Sequence, residues 1–147
     1  LKYQDLMNLS NIFLAGLTEP EENSLRLFFS RTKSVPEPFT IGDKVFEDAS
    51  SIVIDEDLPV LQIDFETYIG YSILNESFTS WDDYEEFEGK IFRIYTQSRY
   101  LDFIKVGTFA DEEFPGPFKH YGMACLNHIV DVVSLSEPIV REVMREK

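Results

Sequence analysis

The residues best suited to chemistry are concentrated between His120 and Asp131. Imidazole, thiolate and carboxylate all ligate zinc, so His120, Cys125, His128 and Asp131 form one conceivable metal set. Spacing opposes it. In a continuous strand side chains alternate, which turns His120 and His128 away from Cys125 and Asp131. A hairpin turning at Asn127 and His128 puts His128 at the tip, apart from Cys125. A second reading makes Cys125 a nucleophile with His120 or His128 as base and Asp131 orienting it. Cys125 lacks the glycine-rich flank or helix N-terminus that lowers a thiol pKa. The expectation is therefore no metal, no cofactor and no catalytic residue, with Cys125 packed as a small hydrophobe and the histidines hydrogen-bonded. Gly107, Gly116 and Gly122 are too scattered for a phosphate-cradling loop.

The elements that position these residues have a dominant period of two. Asn11 to Leu17 and Ser24 to Arg31 are apolar segments separated by a polar stretch containing Pro20, which predicts a first hairpin; a longer N-terminal helix through Leu17 is the rival. In the hairpin reading only Lys2 to Asn8 is helical. Further strands are predicted at Phe39 to Phe46, Ser51 to Ile54, Leu58 to Phe65, Tyr68 to Leu74 and Gly89 to Gln97. A last hairpin joins Tyr121 to Leu126 with Ile129 to Leu135, its turn at Asn127 and His128.

Helical signals punctuate this pattern. Ser80 followed by Trp81, Asp82, Asp83, Tyr84, Glu85 and Glu86, with Gly89 beyond, reads as a short helix with a hydroxyl N-cap, acidic first turn and glycine C-cap. Ser98 caps a second through Leu101 and Ile104. Ser136 caps a third, with Ile139, Val140, Val143 and Met144 as its apolar stripe. The fold class expected is α+β, a largely antiparallel sheet with short peripheral helices and a C-terminal helix, all in one domain spanning residues 1–147.

Composition sets the function classes. The chain carries 13 Lys and Arg against 27 Asp and Glu, a formal net charge of -14. Long-range repulsion opposes nucleic acid and anionic membrane as partners, while a basic protein is drawn in. With 44% hydrophobic and 14% aromatic residues, the acidity is not that of a disordered tail. The sequence shows no apolar run near the length of a membrane span and no secretory leader signature, and a single cysteine suits a reducing cytoplasm.

Most acidic runs are solvated surface. The run from Trp81 to Glu88 differs because Trp81 and Tyr84 are interleaved with its acids. Aromatic anchors ringed by negative charge suit contact with a basic partner, so Trp81, Asp82, Asp83, Tyr84, Glu85 and Glu86 are the candidate partner-binding residues. The competing reading points Trp81, Tyr84 and Phe87 into the core.

The succession Asn75, Glu76, Ser77, then Gly89 to Tyr95, then Ser98 to Leu101, then Asn127 to Val133 resembles small acidic bacterial proteins that neutralise polymorphic toxins. The resemblance spans roughly the C-terminal half. It implies a cytoplasmic, non-enzymatic immunity-type protein that blocks a cognate basic toxin, such as a nuclease. The alternatives are a small hydrolase or ligand-binding protein with a pocket near His120, Cys125 and His128, and a scaffold subunit that homo-oligomerises through a sheet edge.

Overall fold

A computed structural model describes residues 1–145. Half of the chain, 50%, lies in strands and 11% in helices. The α+β expectation is thereby overturned: the fold is mostly β, and among the described residues the one α-helix is α1 (Arg99–Gly107).

One antiparallel sheet runs β1 (Ile12–Thr18), β2 (Leu25–Pro36), β6 (Val60–Phe65), β12 (Ile139–Val143), with β5 (Ser50–Ile54) on the far half of β2. A small hairpin of β3 (Phe39–Ile41) and β4 (Lys44–Phe46) lies between β2 and β5 in the chain. The second sheet has the order β7 (Tyr68–Asn75), β11 (His128–Ser134), β10 (Lys119–Ala124), β9 (Phe92–Gln97), β8 (Glu86–Glu88).

Alternation along the strands builds the core. Leu25, Leu27 and Phe29 of β2 and Leu61, Ile63 and Phe65 of β6 are fully buried, and they form one cluster with Phe92, Tyr121, Met123, Val130 and Val132 of the second sheet. Phe29 meets Phe92 edge-on at 5.4 Å and Phe65 meets Tyr121 at 5.5 Å, so the two sheets lie face to face. The predicted N-terminal helix is a single 3₁₀ turn, Tyr3–Leu6, that closes this core: the Tyr3 hydroxyl reaches the carbonyls of Arg93 at 3.0 Å and Gly122 at 2.9 Å.

The other two predicted helices are absent, and strand pairing takes their place. At Ser80–Gly89, Asp82 Oδ1 accepts the amide hydrogen of Tyr84 at 3.0 Å, a side-chain bond that competes with helix formation. The chain then pairs as β8 against β9, and Gly89, at φ +93°, turns one strand into the next rather than ending a helix. At the C-terminus the stripe is short and β-branched, and β6 offers an open edge. Val140 is buried in the resulting strand while Met144 is exposed, which no shared helical face permits. Arg145 folds back on the sheet, donating to Ser30 Oγ and to the carbonyls of Asp55 and Leu58.

The first hairpin and the Ser98-capped helix are present: β1 pairs with β2, and Ser98 Oγ accepts from Leu101 N at 3.0 Å. The last hairpin is also present with its turn shifted. Ala124 pairs with Ile129 and Cys125 N donates to His128 O at 2.9 Å, so the turn residues are Leu126 and Asn127. Asn127 keeps a negative φ. Its side-chain amide grips β1, Oδ1 accepting from Leu14 N and Nδ2 donating to Leu14 O, both at 3.0 Å, where the β1–β2 register shifts.

Candidate functional site

The outer face of the second sheet carries the polar residues that the core excludes. Cross-strand register places Ser72 opposite Asp131, Asp131 opposite Gly122, and Gly122 opposite Arg93. One row along, His120 lies between Val133 and Tyr95. Helix α1 covers part of this face, with Leu101 and Ile104 packed on Val133. Gly70 permits that approach, since a Cβ there would lie 3.0 Å from Ile104 Cδ1 and 3.1 Å from the Tyr100 hydroxyl. Gly122 likewise lies directly under the Tyr95 ring, 2.4 Å from where its Cβ would be.

A hydrogen-bonded chain crosses this layer. Ser98 Oγ is 2.7 Å from His120 Nδ1, and His120 Nε2 is 2.7 Å from Asp131 Oδ1. Ser98 Oγ accepts from Leu101 N and still has its hydroxyl hydrogen to offer; with the ring hydrogen on Nε2 facing Asp131, Nδ1 is the acceptor for it. Tyr95 stacks on the imidazole at 4.3 Å. The three residue types match a nucleophilic triad, but the polarity is reversed. Ser98 is 0% exposed and capped into a helix, while the carboxylate end meets the open groove. A substrate cannot reach the hydroxyl, so the arrangement is a support for Asp131.

Beside α1 the sheet's outer face opens into a groove of about 690 Å³. Its floor includes Ser72 and Asp131, and its walls include Tyr100 and Phe103 from α1 and Trp81 from the segment before β8. Trp81 is 87% exposed and neighbouring Phe78 85% exposed, so the core-facing reading of Trp81 is wrong. Asp82 pairs with Arg99 at 3.0 Å, and that hydrogen bond holds its carboxyl below the ordinary carboxylate range. The Arg99 guanidinium lies 4.0 Å over the Tyr84 ring, whose hydroxyl donates to Asp102. Tyr84 is thus committed to α1. Among the candidate residues, Trp81, Asp82 and Glu85 line the groove, whereas Asp83 and Glu86 are exposed outside it.

The residues of the hydrolase alternative are dispersed. Cys125 is buried between the sheets and His120 lies on the opposite face. His128 begins β11 opposite Asn75. Among the described residues no three His, Cys, Asp or Glu side chains converge as a metal site. Burial pushes the Cys125 thiol up to about 12, and it raises the Tyr121 phenol to about 12 as well. Burial and then the charge of Asp131 bring Tyr100 to about 12.

These upward shifts predict an alkaline transition. A group whose folded pKa is raised contributes stability that is intact below its unfolded value and is lost as pH climbs through the folded one. For Cys125 the window runs from 9.0 to about 12, and for Tyr100 and Tyr121 from 10.0 to about 12. Urea unfolding at stepped pH should show constant stability up to the thiol value, then a decline. Cys125→Ala should delay its onset to the phenol range, and an unchanged onset contradicts the thiol's part.

Asp131, Tyr100 and Phe103 were not among the residues singled out as partner-binding. The sequence groups Asp131 with His120, Cys125 and His128; the structure joins it to His120 and separates it from Cys125, and the link between Ser98 and His120 is set by the placement of α1 over the sheet. Among the described residues no helix is long and apolar enough to cross a membrane. No family model matches the chain, and no curated protein or solved structure shows significant similarity to it.

Proposed function

We propose that this chain is a non-enzymatic binding module that docks a basic protein over the groove beside α1, as a cytoplasmic immunity-type protein docks a cationic toxin. The observation that carries this reading is the exposure of Trp81, at 87%, on the rim of a groove whose acidic neighbours belong to a chain of net charge -14. A large ring left in water at an acidic rim has no role in the core, and aromatic anchors dominate binding energy at protein interfaces. Net charge supplies steering, which acts mainly on association rate. The reversed polarity of Ser98, His120 and Asp131 supports binding over acyl transfer.

The test is recovery of the partner with the tagged protein from its native cells, followed by reconstitution from purified components on a biosensor. Trp81→Ala should raise the dissociation rate by about 30-fold, the size of a hot-spot loss. Asp83→Lys with Glu86→Lys leaves the Arg99 pair intact and should slow association several-fold. That slowing should fade as salt shortens the Debye length below about 8 Å. Because Trp81 is exposed, the variant should unfold at the same urea concentration as the parent. Unchanged rates in folded variants overturn the docking face.

A further inference from the structure

We propose that the floor of the groove is a lysine-reading site, in which Asp131, Ser72 and Tyr100 receive the side-chain ammonium of a lysine presented by the basic partner. The proposal rests on the groove being the docking face. Asp131 is the only carboxylate on the outer-face strands β7, β11, β10 and β9 that lines the groove floor, and its side chain is 16% exposed. One of its oxygens accepts from His120, and among the described residues no lysine or arginine lies within ion-pair distance of it. The two cations on the groove wall are held elsewhere. Arg93 donates to the Lys90 carbonyl and the Tyr95 hydroxyl and lies 4.1 Å over the Phe87 ring. Arg99 is bound to Asp82 and lies over Tyr84. Asp131 therefore presents a carboxylate oxygen with no cationic partner into the groove; Glu85 adds a further negative charge to the wall, while the charge of Asp82 is met by Arg99.

The remaining acceptors are neutral and adjacent. Ser72 is the cross-strand partner of Asp131 and also lines the groove. The Tyr100 hydroxyl lies over Gly70, two residues along the same face of β7, close enough to Asp131 for its charge to act on the phenol. An ammonium has three donors, and Asp131, Ser72 and Tyr100 supply one charged and two neutral oxygens along the lining of the same groove. A guanidinium fork seeks both oxygens of one carboxylate, and His120 occupies one of them. The walls suit a lysine stem: Tyr100, Phe103 and Trp81 give apolar surface along which four methylenes can lie while the ammonium goes to the floor.

The probes are capped Gly-Gly-X-Gly-Gly peptides with X lysine, arginine or Nε-acetyl-lysine, titrated against the full chain and followed by amide chemical shifts. The lysine peptide should give saturable shifts centred on Gly70, Ser72 and Asp131. The acetylated peptide should bind at least about tenfold more weakly, as loss of a charge-assisted hydrogen bond requires. Asp131→Asn keeps the acceptor for His120 and should lose binding to the same extent, with Ser72→Ala and Tyr100→Phe each weakening it less. Absence of a saturable lysine shift, equal binding of the arginine peptide, or an Asp131→Asn variant with unaltered affinity overturns the site. Failure of the two readings is distinguishable. If Trp81→Ala loosens the partner complex while Asp131→Asn changes neither complex nor peptide, only the lysine site falls. If peptide binding needs Asp131 but the partner ignores Trp81, Asp83 and Glu86, only the docking face falls.

Discussion

Phe92→Ala is expected to lower unfolding stability by about 3–5 kcal/mol, the range for truncating a buried aromatic. Phe92 is 0% exposed and joins three parts of the fold: its own sheet through β9, the opposing sheet through Phe29 at 5.4 Å, and the N-terminal turn through Tyr3 at 5.8 Å. Truncation leaves all three facing a void that the close-packed rings cannot fill by small shifts. For a domain whose total stability is about 5–15 kcal/mol, such a loss approaches unfolding at ordinary temperature. Urea denaturation measures it, with Phe103→Ala as the control. Phe103 is 62% exposed, and its truncation should change stability by under about 0.5 kcal/mol. A Phe92→Ala loss under about 1 kcal/mol contradicts the packing of the two sheets on one another.

Strands were legible where one face is buried and the other wet. In β6 the alternation of Leu61, Ile63 and Phe65 with Gln62 and Asp64 reads directly as a strand with one buried face, and in β2 Leu25, Leu27 and Phe29 are buried while Arg26 and Phe28 face the other side. The helix at Ser98 was legible because its cap is local. The segments Ser80–Gly89 and Ser136–Met144 were misread because caps, acids and a four-residue stripe are equally compatible with a turn followed by a short strand. What decides between them is non-local: β9 offers an edge to Glu86–Glu88, and β6 offers one to Ile139–Val143. Trp81 and its acids were legible as a candidate surface, but Asp131 was not. A turn at Asn127 and His128 puts Ala124 opposite Asp131, whereas the observed turn at Leu126 and Asn127 puts Gly122 there. That shift of one residue brings His120 to the diagonal neighbour of Asp131, within hydrogen-bond reach. Ser98 completes the chain only because α1 lies over the sheet, a tertiary fact without a sequence signal.

His120→Ala is expected to cost about 2–4 kcal/mol, because it adds unpaired polar groups to a cavity. The ring is 1% exposed and stacked under Tyr95 at 4.3 Å, so its removal opens space beneath that tyrosine. The Ser98 hydroxyl then loses its imidazole partner, and Asp131 loses the ring nitrogen that holds Oδ1. A double-mutant cycle isolates the connection. Ser98→Ala alone removes both the cap on Leu101 N and the partner of His120 Nδ1, while in the His120→Ala background only the cap remains to be lost. The second substitution should therefore cost about 1 kcal/mol less in that background, well beyond the roughly 0.3–0.5 kcal/mol scatter of independent sites. Additivity within that scatter means that Ser98, His120 and Asp131 are neighbours without being a unit. Coupling of the expected size gives the carboxylate a fixed orientation at the groove floor, held from the buried side by a helix cap. In that arrangement His120→Ala loosens Asp131 without removing its charge. Binding of the lysine peptide should then weaken less than in Asp131→Asn, which removes the charge and keeps the bond to His120.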